Sequence, residues 1–225
     1  VLIKSFLSLN FFMLSNLVSI RSLNLEVASV DLTALETINP QNDMASSVLP
    51  ILNVFGVDVT GLQNLESVNG TLVATQSLPA LKTVNGYLDV TFIEDGTISF
   101  PNLDYCFSLL VQEFGSLTTV ELDLPELDSA ANINITNTSL TELSFPGFTK
   151  VINVSPMFQI IQNSNLTSVD FPVLDAIPNA SYAFSENALS VAVVNDLLSL
   201  FANADPALTT SGIFLNQVPP AVPTG

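Results

Sequence analysis

The chain has 225 residues, 48% of them hydrophobic and only 11% charged, too apolar for a disordered chain and long enough for one domain or one long array. Twenty-one acidic residues stand against Lys4, Arg21, Lys82 and Lys150, a net charge of −17, so nothing here could neutralise a row of phosphates or hold an anionic membrane surface. Histidine and tryptophan are absent and Cys106 is the single cysteine, which excludes a histidine-based triad, a zinc or haem site and an internal disulfide framework.

The chain opens on Val1 rather than Met and reads as a processed product or a piece of something longer. Its most apolar stretch, SFLSLNFFMLSNLVSI (5–20), is interrupted by Ser8, Asn10, Ser15 and Asn16. No run approaches the roughly 18 continuous apolar residues of a spanning helix, so no membrane insertion is expected. With Lys4 before it, this stretch fits either the remnant of a secretory signal or the first unit of the repeat that follows.

From there the chain repeats one phrase. LSNLVSI (14–20), LTALETI (32–38), LQNLESV (62–68) and LPALKTV (78–84) each keep apolar residues at i, i+3 and i+6. Further on the phrase gains a proline, as in SFPNL (99–103), SFPGF (144–148) and DFPVL (170–174). Counted from Pro79 through Pro101, Pro125, Pro146 and Pro172, the steps are 22, 24, 21 and 26 residues. Units of that length suit leucine-rich or β-solenoid arrays, whose repeats run roughly 20–29 residues.

One unit, ANINITNTSLTELSFPGFTKV (131–151), shows the physics. NINIT alternates polar and apolar as a half-buried strand does, and NTS supplies turn formers. Leu140, Leu143, Phe145 and Phe148 then point inward, and proline, with fixed φ and no N–H, ends local pairing at one corner of each coil. A single unit cannot bury these side chains; stacking coil on coil does. The expected column includes Leu81, Phe100, Leu124, Leu140, Phe145, Leu166 and Phe171. The VNG steps at 68–70 and 84–86 place glycine where positive φ would serve a tight corner. Asn137 and Asn163 each stand three residues before a column leucine, so an asparagine ladder along one corner is expected.

After the last repeat, SVAVVNDLLSLFANA (190–204) spaces Val191, Val194, Leu198 and Phe201 helically behind Ser190, a good N-cap. Such a helix would cover the open end of the column. The tail, QVPPAVPTG, reads as an extended linker. The fold class expected is mainly β: a leucine-rich-repeat-like β-solenoid of about eight irregular coils over residues 1–189, a capping helix at 190–204, and an exit strand and linker at 205–225.

SLTELSFPGFTKV and LPALKTVNGYLDV resemble degenerate leucine-rich repeats such as those of receptor L domains and of bacterial, fungal and viral surface proteins. The segment 188–225 is similar to a closing segment of bacterial and phage structural proteins, except that IFLNQVPP stands where a Gly-rich strand is usual. The resemblance implies proteins that bind or build, and it transfers no catalytic residue.

The chemistry that remains open is thin. No phosphate-binding glycine loop and no DxDxDG calcium loop occurs; IEDG (93–96) is a lone acidic turn. Glu121, Asp123, Glu126 and Asp128 would be the carboxylates of a glycosidase or lyase, but they alternate with Leu122, Leu124 and Leu127 as the outward face of a strand and corner does. Cys106, in LDYCFSLLV, reads as a small buried apolar residue. Sequons at Asn69, Asn134, Asn137, Asn165 and Asn179 are glycosylation acceptors if the source secretes through a eukaryotic pathway.

No cofactor or metal is expected. The reading is a non-enzymatic structural or adhesive module of an extracellular, cell-surface or virion-surface assembly. Its partners would be other protein subunits, by self-assembly or within a larger multidomain chain, or a host glycan, and not nucleic acid. A ligand-binding receptor ectodomain of L-domain type and a carbohydrate-active enzyme stand as alternatives.

Overall fold

The structure, a computed structural model, describes residues 62–152, 158–175 and 182–203, together with Ala34, Glu36, Gln217 and the backbone of short strands between Phe12 and Thr60 and at Ile213–Phe214. The fully described part is a β-solenoid of about four turns carrying one helix. The expected count of eight coils is not reached there. The upstream steps at 14–20 and 32–38, and Asn179, fall wholly or mostly outside the described residues.

Each turn of the solenoid follows one recipe. A long strand such as Thr83–Phe92 buries Val84, Leu88, Val90 and Phe92. A bend follows, then a short strand, Gly96–Ser99, and then a corner, Phe100–Leu103, that delivers the chain to the next long strand, Tyr105–Glu113. The corner explains the repeated phrase. The Leu103 N–H donates to the Phe100 carbonyl at 3.1 Å, Leu81 to Leu78 at 3.2 Å, Phe148 to Phe145 at 3.2 Å, and Leu174 to Phe171 at 3.4 Å. Proline is therefore the second residue of a four-residue turn, where its fixed φ is already correct and its missing N–H costs nothing. The first and fourth residues of the turn point inward: Phe100 and Leu103, Leu124 and Leu127, Phe145 and Phe148, and Phe171 and Leu174 are all buried. The third apolar residue of LPALKTV, Val84, is the first inward residue of the long strand.

The long strands form one parallel sheet, the broad face of the solenoid. Parallel register stacks equivalent residues directly. Ile20, Ile38, Val68, Val84, Cys106, Ala130 and Val151 follow one another across it. Leu23, Leu52, Leu72, Leu88, Leu109, Ile133, Phe158, Tyr182 and Ile213 form a second file. Short strands pair separately as the narrow face: Gly96–Ser99 with Val120–Asp123, and Glu142–Ser144 with Ser168–Asp170. Sixteen residues separate Val68 from Val84 and 24 separate Cys106 from Ala130. That difference falls mostly on the narrow side, while the broad sheet takes up others between its two files: the register shifts between Val84 and Tyr87, and seven residues separate Val151 from Phe158 where three separate Ala130 from Ile133.

All seven column residues expected from the sequence are buried in one hydrophobic cluster: Leu81, Phe100, Leu124, Leu140, Phe145, Leu166 and Phe171. One local reading changes. Gly86 is not a positive-φ position. A Cβ there would lie 2.2 Å from the Gly70 carbonyl oxygen, so glycine is required by the close approach of neighbouring turns. Gly70 itself has φ 156°.

The helix spans Val191–Asn203, and the Val193 N–H donates to the Ser190 hydroxyl at 3.3 Å, the expected N-cap. Its buried stripe is Val194, Leu197 and Phe201; Val191 is exposed and Leu198 only half-buried, a stripe one step round from the expected one. The helix lies between two strands that pair in parallel, Tyr182–Ala183 and Ile213–Phe214. It therefore replaces the narrow side within a turn instead of following the last one. Phe201 closes this part of the core against Tyr182 and Phe184, with ring centroids at 5.0 and 5.7 Å.

Candidate functional site

Polar side chains bond mainly from turn to turn. Asn163 is fully buried where the chain leaves the broad sheet. Its Oδ1 accepts from the Thr138 N–H at 2.9 Å and the Thr138 hydroxyl at 2.8 Å. Its Nδ2 donates to the Ile135 carbonyl at 3.1 Å, the Ile161 carbonyl at 3.0 Å and Asn187 Oδ1 at 3.2 Å. Asn187 Nδ2 donates to the Ile160 carbonyl at 2.7 Å. Gln217 continues the ladder, accepting from the Leu189 N–H at 3.3 Å and donating to the Phe184 carbonyl. The ladder is thus Thr138, Asn163, Asn187, Gln217.

Asn137 is not in it. It stands one position earlier, exposed, with φ 55°, and the equivalent residues of the next turns, Gln162 and Glu186, have φ 60° and 59°. A file of left-handed residues turns the corner, and the residue after each carries the ladder. Asparagine tolerates that conformation well; its presence at 137 reflects the turn and not the ladder. Asn187, 24 residues after Asn163, could have been found from the repeat period alone.

The two faces differ in charge. On the narrow face the outward residues are Thr97, Ser99, Glu121, Asp123, Glu142, Ser144, Ser168 and Asp170. The register sets each carboxylate opposite a hydroxyl: Thr97 against Glu121, Ser99 against Asp123, Glu142 against Ser168, and Ser144 against Asp170. Thr97 donates to Glu121 at 2.8 Å and Ser99 to Asp123 at 2.7 Å. Acid opposite acid in a parallel ladder would repel, and within each of these strand pairs the register avoids it. Glu121 and Asp123, two of the four candidate carboxylates, are therefore hydrogen-bonded to the preceding turn. Glu126 is exposed, and Asp128 accepts from Thr149 at 2.6 Å with Lys150 at 3.4 Å.

Corners use acids in the same way. Asp95, from the IEDG turn, accepts from the Thr118 N–H at 2.7 Å, the Thr119 N–H at 3.0 Å and the Thr118 hydroxyl at 2.9 Å. These donors hold its carboxyl below the usual carboxylate range. Glu113 accepts from the Ser139 N–H at 2.6 Å and the Leu117 N–H at 3.1 Å.

The outward side of the broad sheet is different. One row reads Val73, Asp89, Leu110, Asn134, Gln159, Ala183, all half-buried. Beside it run Thr91 with Gln112, and Thr136 with Ile161; on the other side Tyr87, Ser108 and Asn132 align. A further row aligns Ser67, Thr83, Tyr105, Ser129 and Lys150, so the charged residues of these rows are Asp89 and Lys150, the latter paired with Asp128. Gln112 Nε2 donates to Asp89 at 3.0 Å and Thr91 Oγ1 does so at 3.1 Å, yet burial dominates and pushes the Asp89 carboxyl up. Tyr87 and Phe107 stand exposed on this side of the sheet.

Of the sequons, Asn137 and Asn165 are exposed, Asn69 and Asn134 half-buried. Asn134 accepts from the Thr136 hydroxyl at 2.6 Å, and Asn69 accepts from Asn85 Nδ2. Cys106 is fully buried, and burial pushes its thiol up to about 12, so it is not a nucleophile. A cleft of about 470 Å³ opens between the helix and the Phe171–Leu174 corner, with Phe171, Leu174 and Leu197 as its floor and Asp170, Asp175 and Asp196 on its rim. Among the described residues no three acidic or thiol side chains converge as a metal site, and no helix is long and apolar enough to cross a membrane.

These features define a repeat β-solenoid whose polar groups tie turn to turn. Compared with known proteins, the chain matches no family model, no curated protein and no solved structure.

Proposed function

We propose that this chain is a non-enzymatic structural or adhesive module of an extracellular, cell-surface or virion-surface assembly, a stiff solenoid in the manner of leucine-rich-repeat surface proteins. The observation that carries the reading is where its polar side chains are spent. Asp95, Glu113, Glu121, Asp123, Thr138, Asn163 and Asn187 each bond to a neighbouring turn. Reacting groups need lone pairs and protons free to meet a substrate; these meet the next turn. Such bonding between the described turns, with a continuous apolar file inside, resists bending and shear. The mechanism is mechanical and interfacial: hold a shape, and offer a face.

The test is location together with a search for activity. Antibodies raised against the chain should label the surface of intact cells or particles of its source. The purified chain should release no reducing ends from a polysaccharide panel. Labelling confined to the cell interior, or sugar release abolished by Glu121→Gln or Asp123→Asn, would sink the reading.

A further inference from the structure

The charge of this chain is unevenly laid out. Narrow-face acids and corner acids make most of its described surface hostile to a second copy. Among its aligned outward rows the broad face carries two formal charges of opposite sign, Asp89 and, at the end of the Ser67–Thr83–Tyr105–Ser129 row, Lys150. In a chain of net charge −17 with four basic residues, a nearly neutral face lets two copies approach without acid meeting acid. Depletion of charge, with Tyr, Phe and aliphatic side chains among amides and hydroxyls, is also the compositional mark of an interface core.

Shape and size agree. The face is built from in-register strands, of which Thr83–Phe92 runs ten residues and Tyr105–Glu113 nine. At about 3.3 Å per residue and about 4.8 Å per strand it measures roughly 30 Å by 20 Å, or about 600 Å² in projection. A facing pair would cover about 1,200 Å², the lower bound of stable interfaces. Two twisted sheets pack well face to face at a small angle, about 10 Å apart, with their side chains interleaved.

We propose that a second copy of this chain packs on the broad sheet, face to face about a twofold axis. The contact is isologous: the Asp89–Leu110–Asn134–Gln159 row meets its own copy, and Tyr87 lies toward one edge of the contact. A twofold contact uses the same patch twice, so the neutrality needed for it is the neutrality of one face. This rests on the reading of the chain as a structural module and names its partner.

Sedimentation velocity on the whole chain tests it, from low micromolar to about 1 mM, the weak end of specific association. The wild type should pass from monomer to dimer. Leu110→Glu and the near-isosteric Asn134→Asp should each weaken dimerisation more than about tenfold, because each places two like charges in the contact. Val173→Glu, the same change of charge at an exposed corner, should leave the dimer intact. Circular dichroism confirms that each variant folds. A wild type that stays monomeric throughout, or face variants no weaker than Val173→Glu, overturns the proposal. A monomer that binds a neutral glycan, lost in Asn134→Asp, overturns self-pairing and leaves the adhesive reading standing. Sugar release by a dimer overturns that reading and leaves the pairing.

Discussion

Phe145 and Phe171, 26 residues apart in sequence, lie parallel within 3° with their ring centroids 5.1 Å apart. That separation is close to the spacing of neighbouring strands, about 4.8 Å, so the rings stack because their turns do. Phe148 and Phe158 pack around them, with Phe148 5.8 Å from Phe145 and Phe158 5.7 Å from Phe171. Phe145→Ala empties a site walled by other rings, which cannot collapse without losing their own contacts. We expect a loss of about 3–5 kcal/mol, read as a lower urea midpoint at unchanged slope. Phe145→Leu should cost clearly less. A Phe145→Ala chain within 1 kcal/mol of wild type, inside the noise of typical substitutions, would contradict a continuous file.

Asn163 presents a different dependency. Both ends of its amide are occupied, and truncation would strand the Thr138 N–H and the carbonyls of Ile135 and Ile161 inside the protein. An unmet buried polar group costs about 1–3 kcal/mol, so Asn163→Ala should destabilise by at least about 2 kcal/mol. Asn165→Ala, two residues on and exposed, should be nearly silent. Equal effects in thermal melts of the two variants would remove the ladder from the account.

How much of this could be read in advance follows from the physics of each element. The inward pairs, such as Phe100 with Leu103 and Phe145 with Phe148, were legible because burial is demanded at every turn and hydrophobic residues mark it. The turn itself was only half legible: proline announced a corner, but its place as the second residue of a hydrogen-bonded turn needed coordinates. Asn137 misled because asparagine serves two purposes, left-handed backbone and buried amide, and one residue decides between them. The charge difference between the faces was illegible, since the acid at Glu121 and the amide at Asn134 both alternate with apolar residues. Only the closed coil reveals that they belong to opposite sides.

Gly86 marks a tight backbone approach between turns. A methyl group there would meet the Gly70 carbonyl oxygen at 2.2 Å, and backbone cannot rotate away as a side chain can. Gly147 is less confined, with its nearest atom, the Pro125 carbonyl oxygen, at 2.9 Å. Gly86→Ala should therefore exceed the usual overpacking cost of about 1–3 kcal/mol, and Gly147→Ala should fall within it. Chemical denaturation of both variants, with Gly147→Ala the more damaging, would reverse this ranking and the close approach behind it.

The thiol of Cys106 supplies a probe of the same core. Burial pushes it up to about 12, so almost no thiolate exists at neutral pH, and the solvent cannot reach it. A disulfide reagent should leave the native chain unmodified for hours and label one thiol per chain at once in denaturant. Prompt labelling of the folded chain would place Cys106 at the surface and misplace the file of Val84, Cys106 and Ala130 with it.

The response to pH divides between two kinds of carboxylate. Asp95 and Asp128 are held below the ordinary value of 3.8, Asp95 by the N–H groups of Thr119 and Thr118 and Asp128 by the Thr149 hydroxyl first and Lys150 after it. Each binds its proton more weakly folded than unfolded. Its contribution is complete above 3.8 and is lost as the pH falls through the lower folded value. Asp89 runs the other way: desolvation raises it, so the folded chain holds that proton more tightly. Stability then falls as the pH rises from 3.8 through the folded value, and stays reduced above it. Asp89→Asn keeps an acceptor for Gln112 and Thr91 while removing the buried charge, and should raise the melting temperature at pH 7 but not at pH 3. Asp95→Asn should lower it at pH 7 and converge on the wild type in acid. Melting curves at the two pH values separate these effects, and a stabilising Asp95→Asn at neutral pH would mean that its carboxylate does not hold the 118–119 corner.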